Sequence, residues 1–134
     1  MSNSKAAPPE ERLIVLLRHG IAEDATEEKN DETDTFTVPA KTTMQLTDIV
    51  MSNPQGDFGR VRVRIGGREL FDMALENFRD IDYHFVTPIN GAAGDQLEMV
   101  VNCRKAGQPP QQSTPPTTCD TAMYVGGELT KKVG

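Results

Sequence analysis

Residues 60–67 read Arg-Val-Arg-Val-Arg-Ile-Gly-Gly, and their reading decides the fold. Val61, Val63 and Ile65 alternate with Arg60, Arg62 and Arg64, so one face is apolar and the other cationic. Successive side chains of a strand point to opposite faces, and period two over six residues is therefore a half-buried strand. Gly66-Gly67 supplies the positive φ values of a tight hairpin, and Arg68–Leu75 reads as the returning strand. The period recurs in 81–87, where Pro88 is expected to end the strand. It recurs again in 96–103, where Leu97, Met99, Val101 and Cys103 share a side. Cys119–Val125, a second Gly-Gly pair and Glu128–Val133 predict a closing hairpin.

Thr42–Ser52 keeps the period with a slip. Met44 and Leu46 share one face, Ile49 and Met51 share one, and the phase changes near Asp48, as a β-bulge or a bend between sheets requires. Asn53-Pro-Gln-Gly56 is a turn, with Pro54 fixing φ and Gly56 free to take the left-handed geometry. Only Leu70–Phe78 has a helical alternative. Strands spaced by roughly ten residues with turns between them imply an antiparallel sandwich or barrel. Eight candidate strands suit a jelly roll. The expected fold is all-β: an antiparallel β-sandwich of jelly-roll type with an extended N-terminal arm. Residues 1–34 form the arm and an acidic linker, and 35–134 form the sandwich.

Size and composition narrow the function. A chain of 134 residues is one domain by size and buries enough surface to fold without metal. It has no Trp, five Phe and two Tyr, so the core must be Val, Ile, Leu and Met. Residues 22–34 hold seven acids and one lysine, which accounts for the whole net charge of −6. A stretch so polar reads as a solvated linker, and it lacks the glycine-punctuated spacing of a calcium loop. No apolar run approaches the ~20 residues of a membrane span. Leu13–Leu17 is too short for a signal peptide and follows Glu10 and Glu11 rather than basic residues. The chain is expected to stay inside a cell or to be packaged into an assembly built there. Cys103 and Cys119 fit neither a zinc site nor a redox motif; in a reducing cytosol they are expected as thiols, although neighbouring strands would permit a disulfide.

Two resemblances bear on function. Leu16-Leu-Arg-His-Gly-Ile-Ala-Glu-Asp24 resembles the opening of the histidine phosphatases, which implies His19 as the phosphorylated nucleophile and Arg18 as a phosphate clamp. That chemistry also needs a second histidine, a second arginine and a proton donor. The other histidine, His84, sits in an alternating strand, and the family's helix-flanked sheet is not foreshadowed here. The likeness is therefore taken as coincidental, and no catalytic, metal or cofactor site is expected. The second resemblance rests on Thr37-Val-Pro-Ala-Lys41, Leu46–Asp57, Leu75–Ile89 and Ala92-Ala-Gly-Asp-Gln-Leu97. These stretches resemble the jelly-roll head-decoration (cement) proteins of tailed bacteriophages. The resemblance implies a structural virion protein, assembled in the host cytoplasm, that binds a major capsid or other shell protein and self-associates.

Two contact regions are expected. The apolar run Leu13, Ile14, Val15, Leu16 and Leu17 either pairs with a neighbour's sheet edge or completes its own sandwich. The Arg60, Arg62 and Arg64 stripe either pairs across strands with Glu69 or Asp72, or meets an acidic patch of a partner such as residues 23–34 of another copy. Nucleic acid is a poor partner, because the chain is acidic and no aromatics interleave with the stripe. A carbohydrate- or ligand-binding sandwich is the alternative and would need exposed aromatics.

Overall fold

The computed structural model describes residues 10–22, 31–108 and 116–131, and in the first strand the side chains of 12–17. The RVRVRI segment forms β4 (Phe58–Ile65), which turns at Gly66-Gly67 into β5 (Arg68–Ala74). Both glycines have positive φ, 55° and 79°. This hairpin is the innermost of a nested series. Outside it β3 (Thr42–Ser52) pairs with β6 (Asp80–Gly91), then β2 (Glu32–Thr37) with β7 (Gln96–Lys105), and finally β1 (Glu10–Ala22) with β8 (Thr118–Lys131). One long hairpin is thus rolled into two four-stranded sheets, ordered β1-β8-β3-β6 and β2-β7-β4-β5. All neighbours are antiparallel, and the result is a jelly-roll sandwich.

The inward positions read from the sequence fill the space between the sheets. Met44, Leu46, Ile49 and Met51 meet Val61, Val63, Ile65, Leu97, Met99 and Val101 with no exposed surface. The expected slip in β3 is present: Leu46 pairs with Gly127 and Asp48 with Gly126, leaving Thr47 as the extra residue. Toward β6 the same step is wider, because Leu46 pairs with Ile89 and Asp48 with His84, so residues 85–88 stand opposite Thr47. The turns at Val38–Lys41 and Ala92–Asp95 meet in space. Val38 donates its N–H to Asp95 O, and Gly94 donates back to Val38 O, both at 2.9 Å. Asp95 closes its own turn by accepting Ala92 N–H at 2.8 Å.

Several expectations are corrected. The boundary at residue 34 is not a domain boundary, because β1 and β2 are strands of the same sandwich. Of the two readings of Leu13–Leu17, the one found is that the run completes its own sheet, with Leu13 and Leu17 buried in the core. β6 does not stop at Pro88 but runs to Gly91; on an edge strand and inside a bulge a missing N–H costs no ladder bond. Gly126-Gly127 makes no turn. β8 passes straight through it, because β1 and β3 pair with this segment on either side. The helical alternative at 70–78 reduces to one 3-10 turn, Leu75–Asn77. The expected free thiols are instead a Cys103–Cys119 disulfide, with Cα atoms 6.0 Å apart, joining the end of β7 to the start of β8 across the two sheets.

Beside the disulfide a buried polar cluster ties three loops together. The Asn53 side-chain amide donates to the carbonyls of Asp57, Leu75 and Phe78. The buried Asp57 carboxylate accepts from Gly107 N–H and Asp120 N–H at 2.8 Å and from the Gln55 amide at 2.9 Å. Buried polar groups are tolerated when satisfied in this way.

Candidate binding face

Alternation along β1 divides the apolar run. Leu13 and Leu17 point into the core and Val15 packs against it, whereas Ile14 and Leu16 face outward, 77% and 50% exposed. Of the five residues expected to touch a partner, only these two remain available in the folded chain. One covered face suffices to bury alternate residues of a continuous apolar run.

The strand register places their neighbours. Leu16 lies beside Tyr124, which lies beside Val50, which lies beside Asp82. The next row runs Ile14, Gly126, Asp48, His84, and the row beyond it Arg12, Glu128, Gln45, Asn90. The outer face of the first sheet therefore has an apolar half of Ile14, Leu16, Tyr124 and the half-buried Val50. Its β6 side is acidic, with Asp80, Asp82 and Asp48. Gly126 contributes no side chain to the middle row. A Cβ there would meet only the Asp48 side chain, at 3.7 Å. The gap opens a groove of about 800 Å³ between Ile14, Tyr124 and Glu128 on one side and Thr47 and Asp48 on the other.

The polar wall of the groove is held by the bulge. Thr47 hydroxyl donates to Asp48 Oδ2 at 2.6 Å, and His84 Nδ1 lies 2.7 Å from Asp48 Oδ1. The Thr47 hydroxyl, and after it His84, hold the Asp48 carboxyl below its ordinary value. A carboxylate kept ionised and aimed by two neighbours can accept hydrogen bonds or meet a cation.

The outer face of the second sheet is of another kind. Arg60 is bonded to Asp72 across the β4–β5 pair, as one of the two sequence readings expects. Arg62 is paired at 3.0 Å with Asp31, an acid of the same chain's linker rather than another copy's. Arg64 is half-buried and stands between Glu69 and Glu98 in the register. Arg104 meets Glu76 at 2.9 Å. Burial raises the Glu76 carboxyl, but hydrogen bonds from its own and Gly59's N–H and from Arg104 outweigh that and lower it. Two of the three arginines of the stripe, Arg60 and Arg62, are paired with acids of their own chain.

Arg18 and His19 lie in β1 opposite Ala122 and Thr121, and their side chains fall outside the described residues. The strand of His84, β6, is separated from β1 by β8 and β3. The expected linker segment 23–30 also lies outside the described residues. Among the described residues no group of three or more His, Cys, Asp or Glu is placed to hold a metal ion. Tyr124, Val50 and the Thr47–Asp48–His84 cluster went unread in the sequence. Tyr124 had a signal: it sits between Met123 and Val125, both inward, and parity alone sends it outward.

No protein-family model and no curated protein sequence matches the chain. Among solved structures, the crystal structure of dimeric latent PorU from Porphyromonas gingivalis is similar over 94% of this chain, with 10% identity and a TM-score of 0.43. The chain spans 13% of the length of that one. A likeness that distant carries no weight for function.

Proposed function

We propose that this protein is a structural component of a virus particle, a capsid decoration (cement) protein that binds a shell lattice through the outer face of its first sheet. The observation that carries the reading is the apolar row of Ile14, Leu16 and Tyr124, with exposures of 77%, 50% and 52%, which groups three of the five exposed large apolar side chains among the described residues on one face. Apolar side chains grouped on one face mark an interaction surface, and tyrosine is favoured at the centre of interfaces. The Cys103–Cys119 bond supports the same reading, because disulfides persist on virion surfaces once a particle has left a reducing cytoplasm. The partner is a major capsid or other shell protein offering an apolar patch rimmed by cations, which would answer Asp48, Asp80 and Asp82. Particles purified from the native source test this by mass spectrometry and electron microscopy. The chain should sediment with the shell in lattice-related copy number, and stripping it should lower the temperature at which the shell opens. A chain found only free of particles would overturn the reading.

A second reading, a ligand-binding sandwich, draws on one observation: the groove beside Gly126 offers the Tyr124 ring with Asp48 and Glu128 near it, and an aromatic face with adjacent carboxylates is the kind of site that holds a sugar. Titration with a glycan panel, beside a Tyr124→Ala control, separates the two.

A further inference from the structure

The two sheets have four edges, and three of them are blunted. β2 is six residues long and carries Glu32 and Asp34. β5 has seven residues, three of them charged, and its pairing slips beside Val63. β6 carries Pro88 and the four-residue bulge opposite Thr47, within which Val86 is 94% exposed. Charges, short lengths, proline and bulges are the usual means of keeping edges from pairing with other chains. β1 has none of them in its middle. Its register with β8 runs unbroken over thirteen pairs, from Glu10–Thr130 to Ala22–Thr118, and Leu13–Leu17 contains no charge and no proline. A long, regular, apolar edge is a template for another strand.

We infer that two copies of this chain join edge to edge through β1, antiparallel, so that their first sheets become one eight-stranded sheet. A two-fold axis perpendicular to the sheet makes the contact self-complementary and closed. Sequence selects the register. Residues facing one another must lie on the same face, so the axis passes through a residue of β1 rather than between two. With the axis at Ile14, Glu10 stands opposite Arg18 of the second copy, and Arg12 opposite Leu16. With the axis at Val15, Arg12 would stand against Arg18, a like-charge pair. The register at Ile14 is therefore the one favoured. It also brings the Ile14 and Leu16 side chains of both copies together at the middle of a doubled apolar face. The inference rests on the edge alone and does not depend on the shell-binding reading.

Light scattering on the full chain, with oxidative cross-linking, tests it. The two native cysteines are bonded to each other, so an introduced cysteine is the one free thiol. Facing residues of an antiparallel pair have Cα atoms about 4.5–5.5 Å apart, within disulfide reach. Under copper-phenanthroline, Ile14→Cys should give a covalent two-chain species, whereas Val86→Cys, more exposed but on the blunted β6 edge, should not. The unmodified chain should scatter as twice 14.7 kDa, and Ile14→Lys with Leu16→Lys should return it to one chain with an unchanged circular-dichroism spectrum. A wild-type chain that stays single at its highest soluble concentration would overturn the inference. So would Val86→Cys cross-linking as readily as Ile14→Cys.

Discussion

The two outer faces of this sandwich are built from the same strand period and have opposite characters. On the second sheet the outward positions are charged, and each described ion pair has its partner within the chain: Arg60 with Asp72 of the neighbouring strand, Arg62 with Asp31 just before β2, and Arg104 with Glu76 of the 3-10 turn. On the first sheet the outward positions beside the β1 edge are Ile14, Leu16, Val50 and Tyr124, with a missing side chain at Gly126. The comparison teaches that a charged stripe is weaker ground for a binding site than it looks. Exposed ion pairs contribute little, yet they satisfy one another, and a partner must break them before it can bind. An apolar row has no such internal competitor, and water is its only alternative neighbour.

The largest effect that would break the comparison lies in the floor of the first face. Gly127 points inward, and a Cβ there would sit 2.0 Å from the Gln45 carbonyl oxygen and 3.1 Å from Leu46 Cα. Both are backbone atoms, so β8 and β3 would have to part. Gly127→Ala should cost about 4 kcal/mol in urea unfolding. Gly126→Ala, one residue away and outward, should stay within about 0.5 kcal/mol of wild type. Equal costs would mean that the gap is not on the outer side.

The next effect concerns what holds the two faces in register with each other. The disulfide crosses from one sheet to the other and joins residues sixteen apart in sequence. Its removal by Cys103→Ala with Cys119→Ala should lower unfolding free energy by about 3 kcal/mol, without abolishing the fold, because the core closes independently of it. Thermal and urea unfolding of the oxidised and double-mutant chains check this.

The smallest effect is acid sensitivity, and each face supplies one group. Asp48 on the first face and Glu76 on the second are both lowered from ordinary values of 3.8 and 4.5. A carboxyl lowered by folding stabilises the fold above its unfolded value, and that contribution is lost as pH falls through the folded one. Asp48→Asn and Glu76→Gln should each flatten the decline of stability below those ordinary values, by slightly lowering stability near neutrality and leaving it unchanged in acid. A steeper acid decline in either variant would reverse the sign assigned here.

Much of the fold was legible because it rests on period two. Val61, Val63 and Ile65, the inward side of β7, and the slip at Asp48 all follow from which residues alternate. What alternation cannot convey is pairing. Gly66-Gly67 and Gly126-Gly127 are the same dipeptide, yet one turns the chain and the other lies flat between β1 and β3. The difference is made by partners more than seventy residues away in sequence. The same holds for β1: a continuous apolar run announces a strand but not whose sheet it joins, and the acidic stretch after it hid the start of β2 at Glu32. The candidate face was half legible. Ile14 and Leu16 were read as contacts, but Leu13, Val15 and Leu17 were read with them, because only a neighbouring sheet decides which parity is covered. Tyr124 and Val50 join that face through β8 and β3, which no local pattern places beside β1.

The proposed function places binding on the apolar outer face of the first sheet and not on the arginine stripe of the second. Affinity of the full chain for shell particles, measured for Tyr124→Ala and for Arg60→Ala with Arg62→Ala, tests it most directly. Tyr124→Ala should lose about thirtyfold, as a central anchor worth about 2 kcal/mol would give. The arginine pair should change affinity within about threefold, in line with the small worth of exposed ion pairs. An arginine variant that loses more affinity than Tyr124→Ala would contradict that placement.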